Sequence, residues 1–156
     1  MKVEIKDLTK DNQNEAMEVA LEQEVGEKKE IVKFFDESFK ENKKNIFVAV
    51  VDNQVVGLIG WYQDKDGPNK KLLGEIFPQG EDIYWVSFFA VSGRLRGQGI
   101  GTILMRKLFE VVKEKRASEL WTYTRRARVF YEKMGFGWIT QKIIDGEMHD
   151  FLKCEL

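Results

Sequence analysis

The sequence predicts an α/β (α+β) fold built on a mixed sheet with helices on both faces, and three observations carry that prediction. Ile83–Val91 is a nearly continuous apolar run of strand length, the pattern of a central strand covered on both sides. It leads through a glycine-rich turn into residues 100–112, where Ile100, Ile103, Leu104, Leu108, Val111 and Val112 form one apolar stripe at helical spacing. Elsewhere, two pairs of short apolar runs meet across tight-turn residues, as the strands of hairpins do.

The elements follow in order. Val3 and Ile5, alternating with charged residues, predict a first strand. Residues 14–25 and 31–39 read as two helices joined across Gly26-Glu27-Lys28-Lys29, the second carrying Ile31, Phe34, Phe35 and Phe39 at helical spacing. Residues 46–51, the turn Asp52-Asn53-Gln54 and residues 55–62 read as a hairpin. Residues 64–79 hold Gly67-Pro68, Gly74 and Pro78 in a polar context and read as a long loop, a segment type that often serves as a lid or binding loop. Beyond the helix at 100–112, residues 120–124 form a second central strand and residues 127–134 a short helix stopped by Gly135. Residues 136–144 and 148–156 close the chain as a hairpin, because Asp145-Gly146 suits a type I′ turn.

A chain of 156 residues, with charged residues spread throughout, is sized for one domain, 1–156, around one substantial core. Its first residues alternate charge and apolar side chains with no signal core, and no stretch approaches the roughly 20 apolar residues that span a bilayer. Cys154 is the one cysteine, which excludes an intrachain disulfide and fits a reducing compartment. With His149 as the one histidine, no His/Cys metal site is expected. These features predict a cytoplasmic protein with neither a metal nor a membrane partner.

Charge is divided along the chain. Residues 94–128 hold seven Arg and three Lys against Glu110, Glu114 and Glu119, and these are all the arginines in the sequence. Residues 1–50 hold nine Lys against twelve acids, so the net charge of −1 conceals a basic centre in an acidic frame. Such a distribution suits a small polyanionic ligand better than nucleic acid, which draws a basic whole domain. The same segment contains Arg94-Leu95-Arg96-Gly97-Gln98-Gly99-Ile100-Gly101-Thr102. Glycines at alternate positions let backbone N–H groups converge, and the helix that starts there adds orphan amides and a positive dipole end. That combination binds phosphate, and arginine adds planar bidentate contacts.

Two familiar phosphate motifs are excluded. No Gly-x-x-x-x-Gly-Lys-Ser/Thr string exists, and a dinucleotide fingerprint would need glycine where Thr102 stands. Arg96-x-x-Gly99-x-Gly101 instead resembles the acyl-CoA loop of the GNAT superfamily of N-acyltransferases. Downstream, Ala127-Arg128-Val129-Phe130-Tyr131-Glu132-Lys133-Met134-Gly135-Phe136 is similar to that family's Ala-x-x-Phe-Tyr-Glu-Lys-x-Gly-Phe segment. The close resemblance covers residues 82–138. It implies a mostly antiparallel sheet of six to seven strands with splayed central strands, and acetyl-CoA as cosubstrate.

The resemblance also implies roles. Amides of Arg96, Gly97, Gln98, Gly99, Ile100, Gly101 and Thr102 would cradle the pyrophosphate, and backbone groups of Phe89, Ala90 and Val91 would pair with pantetheine. Phe130 would pack along the cosubstrate. Thr124 stands where the family often has Asn, so its hydroxyl would make the pantetheine bond with fewer donors. Tyr131 matches the family tyrosine near the sulfur and is assigned as general acid for the leaving thiolate. The strand glutamate many members use as a base is missing, since Trp85 and its neighbours are not acidic. Glu81 and Asp82 are the nearest carboxylates and can act through water or simply end the strand in solvent; Glu75 is a further candidate. His149 reads as a surface or packing residue.

The expected reaction is acetyl transfer from acetyl-CoA to a primary amine. Acids at Glu22, Glu24 and Glu27 lean toward a cationic amine, such as a polyamine, an aminoglycoside, a lysine side chain or a peptide N-terminus. Trp61, Tyr62, Trp85 and Tyr123 either line a cleft or pack in the core. A catalytically inactive acyl-CoA-binding regulatory module is the alternative from another class, and a transferase of longer acyl groups differs only in pocket depth. A homodimer is compatible with this reading.

Overall fold

The computed structural model describes residues 1–41, 45–64 and 67–156. Seven strands run in the order β1-β2-β3-β4-β5-β7-β6, and the chain packs as two compact units, Met1–Trp61 with Ser87–Glu110 and Tyr62–Val86 with Val111–Leu156. No helix among the described residues is long and apolar enough to cross a membrane.

In the first unit, β1 (Glu4–Asp7) pairs antiparallel with β2 (Ile46–Val51), and β2 with β3 (Gln54–Tyr62). Asp52 and Asn53 both take positive φ, which matches the hairpin's turn to the strand twist. Helix α1 (Gln13–Glu22) and helix α2 (Lys28–Lys40) supply Ala16, Val19, Ala20, Ile31 and Phe35 to a core shared with Val48, Val55 and Leu58. Phe34 and Phe39, expected on the same stripe as Ile31 and Phe35, are partly buried against it. Glu15 fixes helix to strand by accepting the Val55 amide at 3.0 Å.

In the second unit, the first part of β4 (Ile83–Val91) pairs parallel with β5 (Glu119–Thr124) through Ile83↔Glu119, Tyr84↔Leu120 and Trp85↔Trp121. β5 then pairs antiparallel with β7 (Glu147–Glu155), which pairs antiparallel with β6 (Gly137–Ile144). Asp145 and Gly146 make the expected positive-φ turn between β6 and β7. Trp85 is the hub of this core, with ring centroids of Trp121 at 5.4 Å, Phe77 at 6.2 Å, and Tyr62 and Phe151 at 6.3 Å.

One expectation is corrected. Residues 64–79 are not a loop throughout: helix α3 (Pro68–Leu73) runs into a 3-10 turn at Gly74–Ile76, while residues 65 and 66 of that segment lie outside the described residues. Proline at the first helical position is preorganised for a helix start, and six residues are too few to show an apolar stripe. Leu73 and Phe77 anchor the segment in the Trp85 core.

Helix ends obey one rule in three places. α1, helix α4 (Ile100–Glu114) and helix α5 (Arg128–Lys133) each finish in a Schellman motif, with bonds such as Val25 N to Ala20 O, Ala117 N to Val112 O and Phe136 N to Tyr131 O. The left-handed residue is Gly135 in α5, as that motif favours, but Glu24 in α1 and Arg116 in α4.

Candidate active site

The first unit builds the loop. Phe88 in β4 has φ +41, an outlier for an aromatic residue, and its ring packs edge-on to Phe34 at 5.0 Å. Ala90 is in the core, and the strand's exit is fixed by Ser92 N donating to Val56 O at 2.7 Å. A 3-10 turn, Gly93–Leu95, follows. Glu22 of α1 accepts the Gly93 amide at 3.1 Å, and Arg94 donates to Gln54 Oε1 at 2.8 Å, so both neighbours of the turn brace it. Arg96, Gly97, Gln98 and Gly99 are then exposed.

Gly97 and Gly99 have φ +78 and +83, and a Cβ built on either would meet nothing within 4 Å. Glycine is therefore needed for the backbone turn, and the space around it is open for an approaching group. The first bond of α4 runs from Ile103 N to Gly99 O at 3.1 Å, which leaves the amides of Ile100, Gly101 and Thr102 ahead of it. Ile100, Leu104 and Leu108, all at 1% exposure or less, seat this helix start firmly. The cradle fits a phosphate group on its own geometry.

The second unit holds the tyrosine. Tyr131 of α5 is buried, hydrogen-bonds the side chain of Thr122 on β5, and packs against Phe136 and Phe130 with ring centroids at 5.1 and 5.7 Å. Burial pushes its phenol up to about 12, opposed by the Thr122 bond. Thr122 is a partner that sequence reasoning missed, although a hydroxyl residue directly after the apolar pair Leu120 and Trp121 is its signal. Thr124 Oγ1 accepts the Ala127 amide at 3.0 Å, holding the turn that leads into α5 and leaving its hydroxyl proton as the donor for a ligand.

The carboxylate candidates divide. Glu81 and Asp82 are exposed at the start of β4, where their carbonyls accept from Gln63 Nε2 and the Ser118 amide. Trp85, at or beside the position of the expected glutamate, is 1% exposed and belongs to the core. Glu75 is exposed in the 3-10 turn. Of the acids around the α1–α2 junction, Glu22 serves the loop's Gly93 and Glu27 lies 3.7 Å from Lys29. His149 Nδ1 sits 3.0 Å from Glu147 O, and its ring is edge-on to Tyr123 at 5.7 Å. Burial and Arg125 lower its pKa, against Asp145 and Asp150.

The arginines of the basic segment are shared between the two units. Arg94, Arg96 and Arg106 belong to the first unit, while Arg116, Arg125, Arg126 and Arg128 belong to the second. Arg125 pairs with Glu147, and Arg128 lies 3.0 Å from Glu132 and 3.8 Å from Asp150. Arg96 makes no ion pair among the described residues.

Tyr62 acquires a partner that no sequence pattern indicated: Asn69 of α3 donates to its Oη at 2.9 Å. Burial, then Tyr123, push the Tyr62 phenol far above its usual range.

Comparison with known proteins identifies the fold. The structure of an N-acetyltransferase from Staphylococcus aureus Mu50 is similar to this chain at 15% identity with TM-score 0.76, covering 99% of each chain. Ard1 from Thermoplasma volcanium is 18% identical with TM-score 0.78, covering 100% of this chain and 99% of its own. The PaiA N-acetyltransferase from Thermoplasma acidophilum, solved in complex with coenzyme A, is 17% identical with TM-score 0.68, covering 100% of both. No curated protein matches the sequence. The Acetyltransferase (GNAT) family model matches residues 6–136, and the chain therefore belongs to the GNAT family of acetyltransferases.

Proposed function

We propose that the chain is an acetyl-CoA-dependent N-acetyltransferase acting on a primary amine, with both units serving one transferase domain, 1–156. The observation that carries the reading is the open, positive-φ Gly97/Gly99 turn at the head of α4, in a chain whose family match runs across both units. In this assignment the amides from Arg96 to Thr102 hold the pyrophosphate, Arg96 adds a bidentate cationic contact, and the backbone of Phe89, Ala90 and Val91 with the Thr124 hydroxyl positions pantetheine. Phe130 lies along the same ligand. Bound acetyl-CoA supplies an acetyl thioester, which is open to attack by a neutral amine.

Tyr131 holds a proton at Oη for the departing thiolate. Its raised pKa keeps it protonated throughout the neutral range, the state a donor requires. The same shift makes complete transfer to a thiolate of ordinary pKa, about 8.5, uphill, so its main contribution is a hydrogen bond to sulfur as charge develops there. Exposed Glu81 and Asp82 accept the amine's proton through water. The acceptor is a cationic amine before deprotonation, as the acidic first fifty residues suggest.

A second reading, an acyl-CoA-binding regulatory module, is favoured by the lack of an acid at Trp85 and its neighbours, where a base is expected, with Trp85 itself packed in the core. Screening an amine library for release of the CoA thiol separates the two. Turnover with any amine supports the enzyme, while a thermal shift with acetyl-CoA and no turnover across the library supports the module.

A further inference from the structure

Ser87 is the one residue with a polar side chain between Val86 and Val91 on β4. Its Oγ is buried and has no hydrogen-bond partner among the described residues. The polar groups around it are committed to each other. Ser38 Oγ donates to Asn45 Oδ1, Asn45 Nδ2 donates to Trp61 O at 3.2 Å, and Trp61 N donates to Asn45 O at 3.0 Å. An unpaired buried hydroxyl costs free energy that an alanine would not, so a purely structural role does not account for it.

The backbone aims this hydroxyl. A Cβ built on Gly60 would come 2.5 Å from Ser87 Oγ and 3.0 Å from Asn45 O, so the hydroxyl rests in the hollow that glycine leaves. Gly60 faces the same side of β3 as Leu58, two residues before it, and Leu58 belongs to the α1–α2 core against which Phe88 packs. Ser87 and Phe88 therefore turn to one face although they are consecutive, and the φ of +41 at Phe88 marks where the alternation breaks. The residue itself is half-buried, so rotation about its single χ1 carries the hydroxyl out of the hollow to the open side. That rotation breaks no bond, because the resting hydroxyl makes none.

The next step rests on the acetyl-CoA reading above. There the pyrophosphate sits at residues 96–102 and pantetheine runs back along Val91, Ala90 and Phe89. The thioester end of the ligand then lies beyond Phe89, toward Ser87, which is two residues or about 7 Å further along the strand. We propose that Ser87 Oγ positions the acceptor by accepting one N–H of its neutral amine. The amine lone pair forms the bond to the thioester carbon, the carbon–sulfur bond breaks with its electron pair going to sulfur, and the nitrogen's second proton leaves through water. Ser87 exchanges no proton. A primary amine has one N–H for Ser87 and another to lose, whereas a secondary amine has a single N–H for both tasks. Ser87 thus selects primary amines.

Primary amines found by release of the CoA thiol, each paired with its N-methyl derivative, test this on the parent and on Ser87→Ala. In the parent, kcat/KM should favour the primary member of each pair. Ser87→Ala should lower kcat/KM for the primary amine by roughly 2–10-fold, the worth of one hydrogen bond between neutral groups, and should affect the N-methyl derivative less, so the ratio of the two falls. Acetyl-CoA should shift the melts of both proteins equally, since its contacts at Phe89, Ala90 and Val91 are to backbone. Without ligand the variant should melt no lower than the parent, because no bond is lost. Turnover by the parent with an unchanged ratio in Ser87→Ala overturns the inference alone, as does a lowered melt, which would make the hydroxyl a structural group. No turnover of any amine by the parent overturns the acetyltransferase reading and this inference with it.

Discussion

Thr122 on β5 and Tyr131 on α5 share a side-chain hydrogen bond in a buried setting, and it lowers the phenol's pKa against the rise that burial imposes. Tyr131→Phe keeps the ring packed between Phe130 and Phe136 while removing the proton donor. Turnover of a good amine should fall by roughly 10²–10⁴-fold, the usual contribution of a positioned acid, with acetyl-CoA affinity little changed. Thr122→Val should move the alkaline limb of the parent's pH–rate profile to higher pH, because the lowering bond has gone. Unchanged turnover in Tyr131→Phe, with chemistry shown to be rate-limiting, would remove this phenol from the mechanism.

The same shift makes a stability prediction. A phenol at 10.0 unfolded and about 12 folded binds its proton more tightly in the native state. Its contribution is complete below the unfolded value and is lost as pH rises through the folded one. Tyr62, also raised by burial, acts in the same direction. The parent should lose stability between pH 10 and about 12, by at most about 1.4 kcal/mol per pH unit for each group. Urea midpoints at several pH values measure this slope. Tyr131→Phe should flatten it, and an equally steep fall in the variant would mean that other groups cause the loss.

Much of this was legible beforehand because it depends on local pattern. The seven strands follow apolar runs and positive-φ turn residues, and the cradle at Gly97 and Gly99 follows from glycine spacing ahead of an amphipathic helix. What escaped was either too short or too distant in sequence. Helix α3 has only the Gly67-Pro68 start and the Gly74 stop to announce it, and the same residues equally punctuate a loop. The Asn69–Tyr62 and Thr122–Tyr131 bonds join residues on different elements, so no periodicity encodes them. The ion pairs of Arg125 with Glu147 and of Arg128 with Asp150 likewise join residues far apart in sequence.

Gly99→Val should abolish the thermal shift produced by acetyl-CoA. A β-branched side chain at φ +83 is strained and also covers the amides ahead of Ile103. Since a Cβ there meets no neighbour within 4 Å, the cost to the unliganded fold should be limited to about 1–2 kcal/mol of left-handed strain. Differential scanning fluorimetry with and without ligand reads both quantities. A variant that keeps the parent's ligand shift would show that the phosphate sits elsewhere.

Arg96 is exposed and without an ion pair among the described residues, so Arg96→Ala should leave the melting temperature within experimental error. Its effect should appear in binding alone. An equal loss of affinity for CoA and dephospho-CoA places the guanidinium at the pyrophosphate, while a loss confined to CoA places it at the 3′-phosphate. Titration calorimetry with the two ligands distinguishes these outcomes, and no loss for either would make Arg96 a surface residue.

The three Schellman motifs allow a controlled test of backbone strain. Arg116 occupies at φ +60 the position that Gly135 occupies at φ +99 in the equivalent motif of α5. A non-glycine residue there costs roughly 1–2 kcal/mol, against about 0.4–1 kcal/mol of unfolded-state entropy that glycine adds. The exposed Arg116 side chain also favours the α4 C-terminus through the helix dipole, by about 0.3 kcal/mol at the low end for a surface charge. Arg116→Gly should therefore stabilise the chain by about 0.5 kcal/mol, raising Tm by roughly 1–2 °C for a protein of this size. Gly135→Ala should do the opposite. Its Cβ would come 3.8 Å from Cys154 Sγ, an ordinary contact, so the loss reports the left-handed backbone and not a clash. Thermal denaturation of the parent and both variants in one buffer supplies the comparison. Shifts of the same sign in the two variants would mean that something other than left-handed strain sets the stability of these helix ends.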